Sequence, residues 1–431
     1  MNNWLNNRFG LEKYGTNVKT EIMAGLIGFF TLIYIIAVNS LILSEAGIPL
    51  EGAILATIFV SVVSAFLMGF WANAPILLVP GMGINALFAY TMVQSMGLTW
   101  QEALAAVFVS GLIFMLVAFT RMGGLLSAAI PHSLKEAITV GLGMFLILVG
   151  LEKGGIVEQG DGVILVLGSL TDPYVQATAL TFLIAIILFV RNVPGNFLIT
   201  VVAGTIIGLL FGITGVGQEQ QPFVLSDYLG VFGALSFDSL LTFPFWIAVF
   251  SLTMVLVFEN IGLVHGHTAF IGRPEAYKKS FQATSISTML SGIFGTSPTV
   301  ATVETTASTA AGGRTGLTAI VFGILFLLST FFIPLIKVIP DSAIAPILII
   351  IGGLMLQNIR HLDLSDFSES FPALLIIALI PFTYSIADGI AVGFILYPIL
   401  KIAIGKARDV SIPLYIIAAL FFMNFVFHAM G

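Results

Sequence analysis

The sequence predicts an all-α polytopic membrane protein of about 14 transmembrane segments in two inverted repeats of seven, with segments 3 and 10 each built as a short strand followed by a half-helix. Three observations predict it. The first is composition: 58% of the 431 residues are hydrophobic and 9% are charged, where soluble domains run near about 45–50% and about 25%. The second is a series of apolar runs that divides into two sets of seven. The third is that the same member of each set is interrupted by proline, glycine or β-branched residues.

The first set reads 20–44, 51–71, 74–97, 101–121, 133–152, 173–191 and 195–215, and the second 242–264, 279–293, 298–312, 315–338, 343–358, 370–404 and 411–430. A helix needs roughly 20 residues to cross about 30 Å of hydrocarbon, and polar, glycine or proline residues bound each run. Residues 1–19 are polar and lack the apolar core of a cleavable leader, so the first run is expected to stay in the protein. Residues 216–241 hold Glu219, Asp227 and Asp238 with no Lys or Arg, and read as an external connector between repeats 1–215 and 242–431. An odd number of crossings per set makes the second set enter from the opposite face, so the repeat is an inverted one. A weak internal match joins "LGMFLILVGLEKGGIV" (142–157) to "IGGLMLQNIRHLDLS" (351–365), each a glycine-rich apolar helix running into a charged exit.

The cations are sided. Arg8, Lys13, Lys19, Arg121, Lys135, Arg191, Arg273, Lys278, Lys279, Arg314 and Arg360 fall on one face of this count, which makes the N-terminus cytoplasmic in an inner (plasma) membrane. The opposite loops carry Glu45, Glu51, Glu102, Glu158, Asp161 and Asp172. The run 370–404 breaks the pattern. As one interrupted span it puts Lys401, Lys406 and Arg408 outside; divided at 383–389 it returns them inside and sends the C-terminus out. Both topologies stay open.

The third segment, "ANAPILLVPGMGINALFAY" (72–90), contains Pro75, Pro80, Gly81 and Gly83; the tenth, "GTSPTVATVETTASTAAGG" (295–313), contains Gly295, Pro298 and a Thr/Val run. Proline removes a backbone donor and β-branched residues resist the helix, so each segment should start extended and turn helical partway. Irregular backbone at membrane depth survives only inside protein or along a cavity, and paired interruptions mark the binding site of a secondary transporter. Asn85 and Glu304 fall close to the two half-helix starts, either as caps or as ligands. A second intramembrane carboxylate, Glu259, lies in "MVLVFENIGLVHGHTAF" beside Asn260; a carboxylate in a span is costly and tends to face the bundle interior. Asp388, in "PFTYSIADGIAVGF", reads equally as a structural cap or a functional acid. His265 and His267 alternate beside a span end and read as solvated.

Other classes are excluded. A net charge of −6 without a basic run gives no footprint for nucleic acid. The absence of cysteine removes disulfides and thiol chemistry. No G-x-x-x-x-G-K-[ST] loop exists for direct use of ATP, and no H-E-x-x-H or paired-aspartate motif suggests an enzyme. Neither a cofactor nor a metal is implied.

"FGLEKYGTNVKTEIMAGLIGFFTLIYIIAVN", "PGMGINALFAY", "VETTASTAAGGRTGLTAIV" and "PFTYSIADGIAVGF" closely resemble the AzgA-like purine permeases of the nucleobase:cation symporters, from about residue 9 to the C-terminus. The resemblance implies a uracil-permease-like fold, with a core domain of about 20–121 plus 242–338 and a gate domain of about 133–215 plus 343–430. Carried over residue by residue, it places the family's eighth-segment carboxylate on Glu259, its tenth-segment glutamate on Glu304 and its third-segment asparagine on Asn85. Two motifs depart from the family pattern. Phe258-Glu259-Asn260-Ile261-Gly262-Leu263 stands where Phe-Asp-Thr-x-Gly-Thr is usual, and Ala301-Thr302-Val303-Glu304-Thr305 where Thr-Tyr-Val-Glu-Ser is usual.

The resemblance implies an importer of purine bases by proton symport, with the base held near the bilayer midplane between segments 3, 8 and 10. A buried heterocycle needs hydrogen-bond partners in its plane and apolar contact on its faces. Glu304 is expected as the principal base ligand and Glu259 as the proton carrier, since burial disfavours a bare carboxylate. Asn85 and free N–H groups near Ser297 to Thr299 would support them, with Phe258 or Phe88 against the ring. Pro80, Gly81, Pro298, Arg314 and Asp388 are candidates for structural or gating roles. Which purine is preferred, sodium in place of the proton, and a homodimer through the gate helices all stay open. The alternative is a uracil-type base or a small anion on the same fold.

Overall fold

Lipid offers the backbone no hydrogen bonds, so each apolar run must close its own. The computed structural model describes residues 2–120, 129–160, 163–213 and 228–430. Arg121, Asp161, Glu219 and Asp227, cited above for sidedness and for the connector, lie outside the described residues.

The first half runs α1 (Asn2–Phe9), α2 (Val18–Leu32), α3 (Tyr34–Glu45), α4 (Leu50–Phe66), β1 (Leu78–Pro80), α5 (Met82–Ala86), α6 (Trp100–Phe119), α7 (His132–Lys153), β2 (Val157–Gly160), β3 (Val163–Leu167), α8 (Pro173–Val190) and α9 (Asn196–Leu210). Helices α2 and α3 form one span broken at Ile33, and α5 continues through wide π turns to Ser95. The second half runs α10 (Phe243–Phe270), α11 (Tyr277–Phe294), β4 (Thr299–Ala301), α12 (Thr305–Ala310), α13 (Gly316–Leu328), α14 (Asp341–Leu356), α15 (Phe367–Thr383), α16 (Ile386–Ala403) and α17 (Ile412–Met430).

The ambiguous run 370–404 is two antiparallel helices, α15 and α16, turned at Tyr384, whose φ of 55° is left-handed. Lys401, near the end of α16, bonds Glu369 at 2.6 Å and Ser368 at 2.9 Å near the start of α15, so the chain has come back to the cation-rich end. The single-span topology is thereby overturned. Helix α17 is an addition to the seven segments of the second half. The β2–β3 hairpin is a second feature the apolar pattern does not announce, formed in the loop between the fifth and sixth segments.

Strand β1 pairs antiparallel with β4, Leu78 with Ala301, Val79 with Val300 and Pro80 with Thr299. The Gly81 N–H adds a bond to the Pro298 carbonyl at 3.2 Å. A side chain at Gly81 would meet Val300 Cγ2 at 2.7 Å, so glycine permits the close approach. Outward-facing donors of so short a sheet would be stranded in a membrane. Neighbouring side chains take them: Leu77 N–H donates to Thr305 Oγ1 at 3.2 Å, Thr299 N–H to Ser291 Oγ at 3.0 Å and Ala301 N–H to Asn260 Oδ1 at 3.0 Å.

Two groups of helices result. In the first, α2, α3, α4 and α6 pack with α10, α11 and α13 around the strand pair. In the second, α7 packs on α14 and α15, while α14 also packs on α8 and α9. The partners exchange as an inverted repeat requires: α7 takes α15 from the other half, and α14 takes α8. At the α7–α14 crossing, Gly143 and Gly352 meet, and a Cβ on Gly143 would lie 2.7 Å from the Gly352 carbonyl oxygen. Membrane helices gain little from apolar burial against each other, so small residues that let backbones touch supply the packing.

Candidate functional site

Each half-helix start is held by a hydrogen-bond web reaching across the first group. The Ser297 hydroxyl lies between the side-chain oxygens of Asn39, at 3.0 Å, and Asn85. Asn39 itself donates to Thr57 at 2.7 Å and Thr296 at 3.0 Å. Asn85 is fully buried inside α5, not at its cap. The Thr299 hydroxyl contacts those of Ser287 and Ser291, and Thr288 donates to its carbonyl at 2.8 Å. The expectation of a free N–H at Thr299 therefore fails, because Ser291 on α11 already accepts it.

Glu304 precedes α12, yet its side chain makes no capping bond to that helix. Its Oε1 accepts a hydrogen bond from the Tyr34 hydroxyl at 2.9 Å. Tyr34 begins α3 at the break in the first span, is 2% exposed, and sets its ring 5.0 Å from that of Phe197 on α9. One side chain thus joins the tenth segment to the second helix group. Glu259 lies within electrostatic range of Glu304. Thr302, between β4 and Glu304, keeps a buried hydroxyl with no partner among the described residues.

Glu259 lines a cleft between the two groups. Met254, Val255, Phe258 and Glu259 on α10 face Lys135, Ile138, Thr139 and Leu142 on α7, with Met355 from α14. Gly83 of α5 comes to the same place, since a Cβ there would meet Met355 Cε at 3.4 Å and Leu142 at 3.7 Å. The cleft holds about 10 Å³, room for about one water. Anything larger enters this cleft only if the groups part.

The remaining predicted residues divide by place. Phe258 is half-buried and in the cleft, whereas Phe88 is fully buried in the apolar core. Pro80 sits in β1, and Pro298 supplies the carbonyl that Gly81 takes. Arg314 caps the end of the tenth segment, donating to the carbonyls of Thr309 at 2.6 Å and Gly313 at 2.9 Å. Asp388 lies in the first turn of α16, its N–H donating to Ser385 Oγ at 3.3 Å. His267 is not solvated: it is 4% exposed, and its Nε2 donates to the Thr302 carbonyl at 2.8 Å. His265 is exposed, its ring 5.8 Å from that of Tyr277.

Lys135 was expected among the loop cations, but it faces the cleft with its Nζ 5.3 Å from the Phe258 ring centre. On the acidic face, a clasp joins the two groups. Lys153 pairs with Glu45 and with Asp341 (3.5 Å), Tyr90 donates to Glu45 at 2.9 Å, and Tyr384 donates to Glu152. The rings of Tyr90 and Tyr384 stand edge to face, 6.0 Å apart.

Broken segments held by a side-chain web, a carboxylate at a closed cleft and two helix groups clasped at one face define a multi-pass membrane transporter. Comparison with known proteins narrows the class. Residues 19–392 match the model described as the permease family, that of the xanthine and uracil permeases, and the chain belongs to that family. It is 49% identical over 385 residues to the nucleobase transporter PlAzg2 of Paenibacillus larvae, covering 88% of this chain and 76% of that one. It is 37% identical over 432 residues to the guanine/hypoxanthine permease PbuO of Bacillus subtilis, covering 96% and 99%. The resemblance to AzgA-like purine permeases drawn from the motifs holds, and the chain is a permease rather than an enzyme. Its fold is similar to that of the transmembrane domain of the cyanobacterial bicarbonate transporter BicA, with a TM-score of 0.65 at 19% identity over 86% of this chain and 97% of that one. That likeness speaks for the fold alone.

Proposed function

We propose that the protein imports purine bases by proton symport across the inner membrane, with its N-terminus in the cytoplasm. The core, about 20–121 plus 242–338, would carry the base against the gate, about 133–215 plus 343–430. The observation that carries this reading is the carboxylate of Glu259 lining the cleft where both groups of helices meet, with Glu304, held by Tyr34, within electrostatic range of it. Carboxylate oxygens only accept, so they suit the N–H edge of a purine. Glu259 in this cleft would supply a proton that binds and is released together with the base. The small-anion alternative is disfavoured by the same two acids. PbuO is named for guanine and hypoxanthine, which supports the purine class.

Labelled hypoxanthine uptake into cells, challenged by unlabelled bases with and without a proton uncoupler, tests the whole reading. Purines should compete, and the uncoupler should stop accumulation. Competition led by uracil or bicarbonate would overturn the substrate class, and accumulation driven by sodium would overturn the coupling ion.

Tyr34→Phe isolates the positioning of Glu304. It removes only the hydroxyl that holds Oε1, and a hydrogen bond to a charged group contributes about 1.5–3 kcal/mol, so half-saturation for the base should rise about tenfold or more with normal protein levels in the membrane. Unchanged half-saturation would show that Tyr34 serves packing alone.

A further inference from the structure

We infer that Lys153 and Glu45 form a reversible ionic latch that bars the acidic-face entrance to the seam between the two helix groups, so that the structure stands shut toward that face and open toward the cation-rich one. The inference rests on the proposed transport, in which the first group carries a base against the second, and names the residues that close one entrance.

The seal is built from three kinds of contact. Lys153 ends α7 in the second group, is 11% exposed at its side chain, and pairs with Glu45 at the end of α3 in the first. Val149 and Phe145 stand one and two turns back on the same face of α7. The Phe145 ring meets that of Tyr90 on the third segment at 5.9 Å and that of Tyr384 at 5.0 Å. The Ile386 N–H, at the start of α16, donates to Thr91 Oγ1 on the third segment at 3.1 Å. An ion pair, an aromatic cluster and a hydrogen bond thus cross the seam toward the acidic face.

Toward the cation-rich face the same seam widens. Phe258 lines the cleft, and Gly262 and Gly266 follow it one and two turns along that face of α10. Both are exposed, and a Cβ on either would meet nothing within 4 Å. Beside Glu304 the tenth segment is open as well, with Val303 57% exposed and Thr306 exposed one turn on.

The ions are arranged for release. A desolvated charge stripped of its partner is costly, yet each member of the latch has a second partner in its own group. Lys153 also pairs with Asp341 of the second group at 3.5 Å, and Glu45 accepts from the Tyr90 hydroxyl of the first at 2.9 Å. Parting the groups therefore breaks the Lys153–Glu45 pair and strands neither charge. Inverted repeats bring the two open forms close in energy, so one ion pair at one face suffices to bias their populations.

The chain contains no cysteine, so single cysteines report on the seam without background. Val149→Cys, at a position 2% exposed, and Gly262→Cys are each treated with a membrane-impermeant maleimide in intact cells and in inverted vesicles, with protein in the membrane quantified. With the latch intact, Gly262→Cys should react from the cation-rich side and Val149→Cys should resist from both. Adding Glu45→Gln should speed labelling of Val149→Cys from the acidic side about tenfold and slow that of Gly262→Cys, whereas adding Lys153→Arg should leave both unchanged. Val149→Cys labelling that ignores Glu45→Gln, or reaction of both reporters from one side, would overturn the latch. A thiol cross-link between Glu45→Cys and Lys153→Cys should stop base uptake until it is reduced, and uptake by fully cross-linked protein would overturn the latch as well. Labelling needs no substrate, so a wild type that takes up no purine would overturn the proposed function and leave the latch standing.

Discussion

Glu304→Ala is expected to reduce base uptake by at least two orders of magnitude while leaving the protein folded in the membrane. A carboxylate that accepts two N–H bonds from a base contributes about 1.5–3 kcal/mol for each, and about 1.4 kcal/mol is tenfold in affinity. The folding cost should be small because the Glu304 side chain makes no capping bond to α12 and is only half-buried. Among the described residues its hydrogen-bond partner is the Tyr34 hydroxyl. Glu259→Gln should behave differently. It keeps a hydrogen-bonding side chain and removes titration, so base binding should persist while pH-dependent accumulation disappears. Measuring equilibrium binding beside uptake separates the two: a Glu259→Gln protein that still concentrates base with full pH dependence would show that another group carries the proton.

Gly143→Leu should remove the folded protein altogether. The first added atom would lie 2.7 Å from the Gly352 carbonyl oxygen, 2.8 Å from Met355 Cβ and 3.2 Å from the Leu356 nitrogen, and two of those three neighbours are on the facing helix backbone. Overpacking costs about 1–3 kcal/mol even where side chains can yield, and here α7 and α14 would have to separate along their whole crossing. Since net stabilities are about 5–15 kcal/mol, loss of a monodisperse species in detergent is expected. Gly353→Leu is the control, because a Cβ there meets nothing within 4 Å. Equal behaviour of the two variants would show that the crossing is not what holds the second group together.

Much of this is legible in the sequence, for identifiable physical reasons. With 9% of residues charged, a carboxylate inside an apolar run stands out: Glu259 lines the cleft between the helix groups, and Glu304 meets Tyr34, whose ring packs on Phe197 of the second group. Proline and glycine marked the third and tenth segments because neither residue suits a continuous helix. Tyr34 was not legible: it is one aromatic among many in an apolar run, and its contact is 270 residues away. Lys135 was misread because a cation one turn inside a helix looks like a loop cation, although its spacing to Ile138, Thr139 and Leu142 marks a shared face. The turn at Tyr384 was ambiguous because three residues, Thr383 to Ser385, suffice to reverse the chain and leave the apolar run almost unbroken. His267 reads as a surface residue in the sequence because its partner is a backbone carbonyl, which no side-chain pattern reveals.

The three-pair ladder between β1 and β4 joins one strand from each inverted half. In a fold of two inverted repeats, the inward-facing and outward-facing forms are expected to be approximate images of each other. Two images of one object differ little in energy. A carrier so built has little preferred direction of its own: if it works as proposed above, it is a balance tipped by the gradients on its two sides, and in a cell whose gradients were inverted it would empty the cytoplasm about as readily as it fills it.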